Sequence, residues 1–199
     1  MRARVVTPPQ PVVTWEEARA HLRLDGDDEQ LLVEAMIAAA TGHIDGPEGW
    51  LGRAIGVQTI EARFDCFEGC GNSLRLPFPP LIDLVSVKYL DGACGEQTAD
   101  LEDFELFGDR IMPVTDVWAW VGCAVRPDAI RIRYRAGYVV DAESDPLVAK
   151  LPASIRAAIL LMTGDLYANR ETVMIGASAS AVPMSTTVES LLAPYRVFS

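Results

Sequence analysis

The spacing of apolar residues predicts an α+β fold: an α-helical bundle with an antiparallel β-sheet insertion. Three observations carry that prediction. Apolar positions repeat at helical spacing in two stretches before residue 46 and in one stretch after residue 152. Between them, residues 57–136 repeat at period two in short runs. No helix-length segment separates those runs, so the crossovers of a parallel α/β fold are absent and an antiparallel sheet with one wet face is expected.

Taken in order, residues 1–13 read as an extended arm. Pro8, Pro9 and Pro11 oppose helix, and Val5, Val6, Val12 and Val13 can pair or pack. Thr14 and Glu17 have capping-box spacing, a hydroxyl followed three residues later by a carboxylate. They open a helix carrying Ala18, His21 and Leu22 that ends near Gly26. A second helix starts after Asp27-Asp28-Glu29 and runs to Gly46-Pro47, giving an αα-hairpin. Its apolar stripe is read through Leu32 and Met36.

The period then changes. Ile60, Ala62 and Phe64 alternate with polar residues, as do Leu74, Leu76 and Phe78, and Val85, Val87 and Tyr89. Phe104–Phe107 and Arg110–Met112 flank Gly108-Asp109 as a hairpin. Ile130, Ile132 and Tyr134 alternate with Arg131, Arg133 and Arg135. Pro152 suits the first turn of a long helix whose stripe is Ile155, Ile159, Met162 and Leu166. Leu160, Leu161 and Tyr167 widen that stripe, so this helix is buried on more than one side or shared with a neighbouring subunit. The two apolar stripes need mutual cover, which joins residues 14–45 and 152–171 in one bundle. The expected organisation is one domain: N-terminal helices 14–56, β insertion 57–136, long helix 146–171 and a flexible C-terminal tail 172–199.

The chain has 199 residues and half of them are hydrophobic, which suffices for a sizeable core. The formal charge is −11, from 28 acidic and 17 basic residues. That balance argues against affinity for nucleic-acid backbone or an anionic membrane surface. No segment has the length and apolarity of a membrane span. Met1–Pro9 lacks the apolar core of a signal peptide, so Cys66, Cys70, Cys94 and Cys123 are expected as free thiols.

The residues that carry chemistry elsewhere are poorly grouped here. Cys66 and Cys70 have the spacing of half a zinc site, but no second pair accompanies them and a structural role is expected. No phosphate loop, nucleophile elbow or zinc-protease motif is present. His21 reads as a packed or surface histidine. Asp100, Glu102, Asp103 and Glu105 form an acidic cluster, read as a solvated edge in preference to a cation site. Arg131, Arg133 and Arg135 share one strand face and need opposing acids, across the strands or across a subunit boundary. Trp118 and Trp120 point to one face of a strand, lining a sheet core or anchoring an interface. Leu191, Leu192, Tyr195, Val197 and Phe198 are too apolar to leave wet, and fold back or enter a partner.

Several of these stretches together resemble the head–tail connector, or adaptor, proteins of long-tailed bacteriophages and gene transfer agents. They are Trp15-Glu-Glu-Ala-Arg-Ala-His-Leu-Arg-Leu24 with Asp27-Asp-Glu-Gln-Leu-Leu32, Tyr134-Arg-Ala-Gly-Tyr138, Leu151-Pro152, Leu166-Tyr-Ala-Asn-Arg-Glu171 and the terminal Leu-Leu-Ala-Pro-Tyr-Arg196. The resemblance covers nearly the whole chain and rests on the order and spacing of these motifs. It implies a non-enzymatic protein of the virion or particle neck, assembled in the bacterial cytoplasm. Its partners would be the portal protein above, stopper or tail proteins below, and itself in a ring, expected as a dodecamer. DNA would pass through without specific binding, with no cofactor, metal or membrane. The expected portal-binding residues are Leu191, Leu192, Tyr195, Arg196, Val197 and Phe198, on a tail that orders only on binding. The expected subunit-interface residues are Trp118, Trp120, Arg131, Arg133, Arg135, Tyr167 and Arg170. A stopper or tail-terminator ring is the alternative within that class; a small metal-dependent or carboxylate-based enzyme is the alternative outside it.

Overall fold

In a computed structural model, which describes residues 2–65, 73–115, 118, 126–140, 147, 149–169 and 184–198, helices and sheets form separate cores. The first helix, α1 (Trp15–Leu22), opens on the capping box its sequence announces. Thr14 Oγ1 accepts the Glu17 backbone N–H at 3.3 Å, and the Glu17 carboxylate accepts the Thr14 N–H at 2.9 Å. Glu17 also pairs with Arg156 of α3 (Ala153–Ala168), so one carboxylate caps one helix and ties it to another.

The second helix, α2 (Gln30–Ile44), packs against α3 through Val33, Ile37, Ala40 and Ile44. This is one residue round from the stripe read through Leu32 and Met36. The helix is apolar on nearly every side, so its pattern does not choose a face, and Leu31 is left 83% exposed. On α3, Ile155, Ala158, Ile159 and Met162 are fully buried and Leu166 is partly so. A fourth helix, α4 (Thr186–Leu192), is capped by the Ser185 hydroxyl and packs on α3 through Val188 and Leu192.

The β insertion forms two antiparallel sheets around one core. The larger joins β1 (Arg2–Thr7), β2 (Gln58–Phe64), β8 (Ile130–Ala136), β4 (Leu81–Leu90) and β5 (Glu96–Ala99), in that order. The smaller orders β3 (Leu74–Arg75), β7 (Arg110–Pro113) and β6 (Phe104–Phe107). Ile60, Ala62, Val87, Ile130, Ile132 and Tyr134 of the larger sheet share a core with Leu74, Phe104 and Ile111 of the smaller. Alternation predicts the inward positions of β2, β3 and β8 but only some of those on β4. There the register shifts between Leu84 and Ser86, which turns Val85 outward and faces Leu84 and Val87 inward. The N-terminal arm becomes an edge strand, with Ala3 opposite Ala62 and Arg4 opposite Glu61.

The expectation of a free tail is corrected for residues 184–198. Leu192 and Val188 are wholly buried in the helical core. The Val197 N–H donates to the Leu51 carbonyl at 2.8 Å, and the Arg53 guanidinium donates to the Tyr195 carbonyl. Closure there requires Gly52, whose φ is +64° and where a Cβ would stand 2.7 Å from the Val197 carbonyl oxygen. Val188 and Leu192 are covered within the chain and Leu191, Tyr195 and Val197 partly so, while Phe198 stays exposed.

Candidate interaction surfaces

The outward face of the larger sheet is built from the polar half of the period-two pattern. It carries Arg2 and Arg4 on β1, Arg63 on β2, Arg131, Arg133 and Arg135 on β8, and Lys88 on β4. Their acids come from other strands and loops. Arg135 pairs with Asp83, and Lys88 and Arg131 share Glu96. Arg63 and Arg2 reach Asp128, whose backbone N–H donates to Asp65.

Glu61 sits at the centre, with its side chain only 2% exposed. It accepts from Arg133 at 2.7 Å, from Arg63 at 2.7 and 2.9 Å, and from Arg4 at 2.9 and 3.1 Å. Burial pushes its carboxyl upward, but the Arg133 and Arg63 hydrogen bonds and the Arg4 charge outweigh it and hold the group down to about 2. The three β8 arginines that sequence places on one face thus meet acids within the chain. Among the described residues, seven cations here face four paired carboxylates, with Asp65 at the margin, so their balance on this face is positive in a chain of formal charge −11.

The second surface is the docked C-terminus. Arg196 lies between two rings, 4.2 Å from the centroid of Trp50 and 4.7 Å from that of Phe198. Phe198 is 76% exposed. Of the tail residues singled out from sequence, Leu192 belongs to the core and Leu191, Tyr195 and Val197 are half-buried. Arg196 and Phe198 remain accessible. Trp50 was not legible as their partner, because the contact joins segments far apart in sequence.

Trp118 packs half-buried on the sheet core with its ring centroid 6.3 Å from that of Phe104, which favours the core reading for this ring. Tyr167 is half-buried on the helical core and its hydroxyl donates to Glu29. Trp120 and Arg170 lie outside the described residues, as do Cys66, Cys70 and Cys123. Cys94 is a free, exposed thiol. Asp100 accepts the Glu102 N–H at 3.1 Å, while Glu102, Asp103 and Glu105 are exposed. Among the described residues no group of three or more His, Cys, Asp or Glu is placed to hold a metal ion. No described helix is long and apolar enough to cross a membrane.

The third feature is a groove of about 900 Å³ between the N-terminal arm and α2. Val5, Pro9, Trp15, Ile37 and Ala38 give it an apolar wall, and Arg4 stands at its rim. Asp45 lies at one end, pushed upward by burial and held back by hydrogen bonds from the Ile55 N–H and Gln58. The Thr41 hydroxyl, which also lines the groove, is buried with no hydrogen-bond partner among the described residues.

No family model matches the sequence, and the comparison with curated proteins found no match. Solved structures with the same fold do exist. A chain from the neck of an empty gene transfer agent (GTA) particle, computed with C6 symmetry, superposes with a TM-score of 0.74 at 20% identity. A chain from the virion of a native GTA particle gives 0.72 at 21% identity, and one from the neck of a native GTA particle, computed with C12 symmetry, gives 0.64 at 20%. Each alignment covers 100% of this chain and 97% of the other. The α+β fold expected from sequence is therefore the fold of these particle chains.

Proposed function

We propose that this protein is a structural neck subunit of a phage-like particle, an adaptor ring that joins the portal to the stopper or tail. The observation that carries the reading is the match in fold, end to end, to chains of GTA necks and virions. Each alignment spans 100% of this chain and 97% of the other, so the likeness is not confined to one element. The C6 and C12 symmetries of those necks support a ring. The acidic balance supports a channel through which DNA slides without sticking, since a negative wall repels phosphate.

In this reading the portal-facing anchor is a preformed patch. Arg196 and Phe198 present an aromatic and a cation on a rigid base of Trp50, the types enriched at interface hot spots. A docked terminus loses less entropy on binding than a free tether does. The function requires no catalysis and no cofactor. Deleting the gene from a producing strain tests the reading. The expected result is DNA-filled heads without tails, restored by the wild-type gene; normal tailed particles in the deletion strain would refute it.

A further inference from the structure

The groove between the N-terminal arm and α2 is apolar inside and acidic along one side. Trp15 and Ile37 form its buried floor, and Val5 and Ala38 stand on its two walls. Glu34, Asp45 and Glu48 also line it, against Arg4 as the one cation among the described lining residues. Arg4 is held by Glu61, at 2.9 and 3.1 Å. Asp45 is turned to the Ile55 N–H and the Gln58 amide. Glu34 and Glu48 are exposed and enter none of the described salt bridges. Glu34 lies early in α2 and Glu48 just past its end, so the groove follows the helix for about 15 Å, a length that suits an extended chain. Its other side is a sheet edge. Among the described residues β1 makes backbone hydrogen bonds to β2 and to nothing beyond it, and an open edge is a template for an added strand. At the Glu48 end the groove runs into the turn that carries Trp50, the base of the Arg196–Phe198 patch, so groove and patch form one continuous surface.

We propose that the groove binds an extended segment of the neighbouring neck protein that meets the Trp50–Arg196–Phe198 patch, a segment paired to the free β1 edge with apolar side chains and a Lys or Arg on its groove-facing side. Alternate residues of an added strand face the groove, as Ala3 and Val5 of β1 do. Its apolar side chains cover Val5, Trp15, Ile37 and Ala38, and its cation meets Glu34 or Glu48 according to the direction of the strand. The basic and apolar ends of this chain are themselves docked, residues 2–7 on β2 and Val197 on Leu51, so the occupant comes from a different protein. The source of the segment rests on the neck reading given above; its chemistry rests on the groove alone.

A ribosome-displayed library of random peptides, selected on the full-length protein, tests this. The expected result is enrichment of sequences with apolar residues at i and i+2 and a Lys or Arg two positions before or after them. The tightest peptide, labelled with fluorescein, is then titrated against two variants. Ala38→Trp fills the groove, and Glu34→Lys with Glu48→Lys reverses its charge; all three positions are exposed, so the fold is kept, which thermal melting checks. Each variant is expected to weaken binding about tenfold or more. No enriched sequence, enrichment without basic residues, or unchanged affinity in either variant would overturn the assignment of the groove. Self-association of the wild-type protein that Ala38→Trp abolishes would make a second copy the occupant and overturn it as well. In a producing strain, Ala38→Trp is expected to leave heads without tails. Normal tailed particles from that strain, with none from the deletion strain, would overturn the source of the segment while leaving the neck reading standing; normal particles from both would overturn the neck reading too.

Discussion

The carboxylate enclosed by Arg4, Arg63 and Arg133 stays ionised to low pH. The Glu61 carboxyl is held at about 2, below its ordinary value of 4.5. Its stabilising contribution is therefore fully present above 4.5 and is lost as the pH falls from 4.5 towards 2. The stability advantage of wild type over Glu61→Gln should shrink across that window, by on the order of 2 kcal/mol once solvent screening of the half-exposed arginines is allowed for. Urea melts of both proteins at a series of pH values check this; a pH-independent difference would show that the arginines do not favour the charged form. Gly52 makes a second prediction at this scale. A methyl group there meets both the positive φ and the Val197 carbonyl. Gly52→Ala should cost about 1–2 kcal/mol and loosen the C-terminus, seen as earlier proteolytic trimming of residues 193–198.

At the scale of elements, α3 is the common partner of α1, α2 and α4. Ile159 is fully buried at the centre of its apolar face. Ile159→Asp should cost several kcal/mol, on the order of the whole margin of a small domain, and thermal melting reads the loss directly. The docked tail reverses one expectation with a measurable consequence. Leu192→Ala should destabilise the isolated protein by about 2–4 kcal/mol, because it empties a buried site. Hydrogen exchange should show protection across Val188–Leu192 in the free chain; an unprotected segment and an unaffected melting temperature would restore the free-tether picture. Much of this architecture was legible. The Thr14–Glu17 box, the alternation of β2 and β8 and the β6–β7 hairpin all depend on neighbours within a few residues. What escaped depends on distant residues or on patterns without contrast. The all-round apolarity of α2 hid its buried face, the β4 bulge broke the period near Val85, and the tail's apolar residues suited a partner as well as Leu51 and the α3 surface. The β8 arginines announced a need for acids, but only the strand order supplies Glu61, Asp83 and Glu96.

Across the whole molecule, charge is sorted by surface. The charges of the sheet face and of the Asp100–Glu105 cluster nearly cancel, so the remaining surface carries most of the chain's negative balance. In the proposed ring, that acidic remainder is available to the DNA path, where a negative wall repels phosphate. Cryo-electron microscopy of particles from a strain producing this protein tests the central claim most directly. The account predicts that density at the neck, between portal and tail, is fitted by a ring of this α+β chain, with the Trp50–Arg196–Phe198 patch towards the portal. Particles whose neck is complete without this chain, or density for it elsewhere in the particle, would contradict the account.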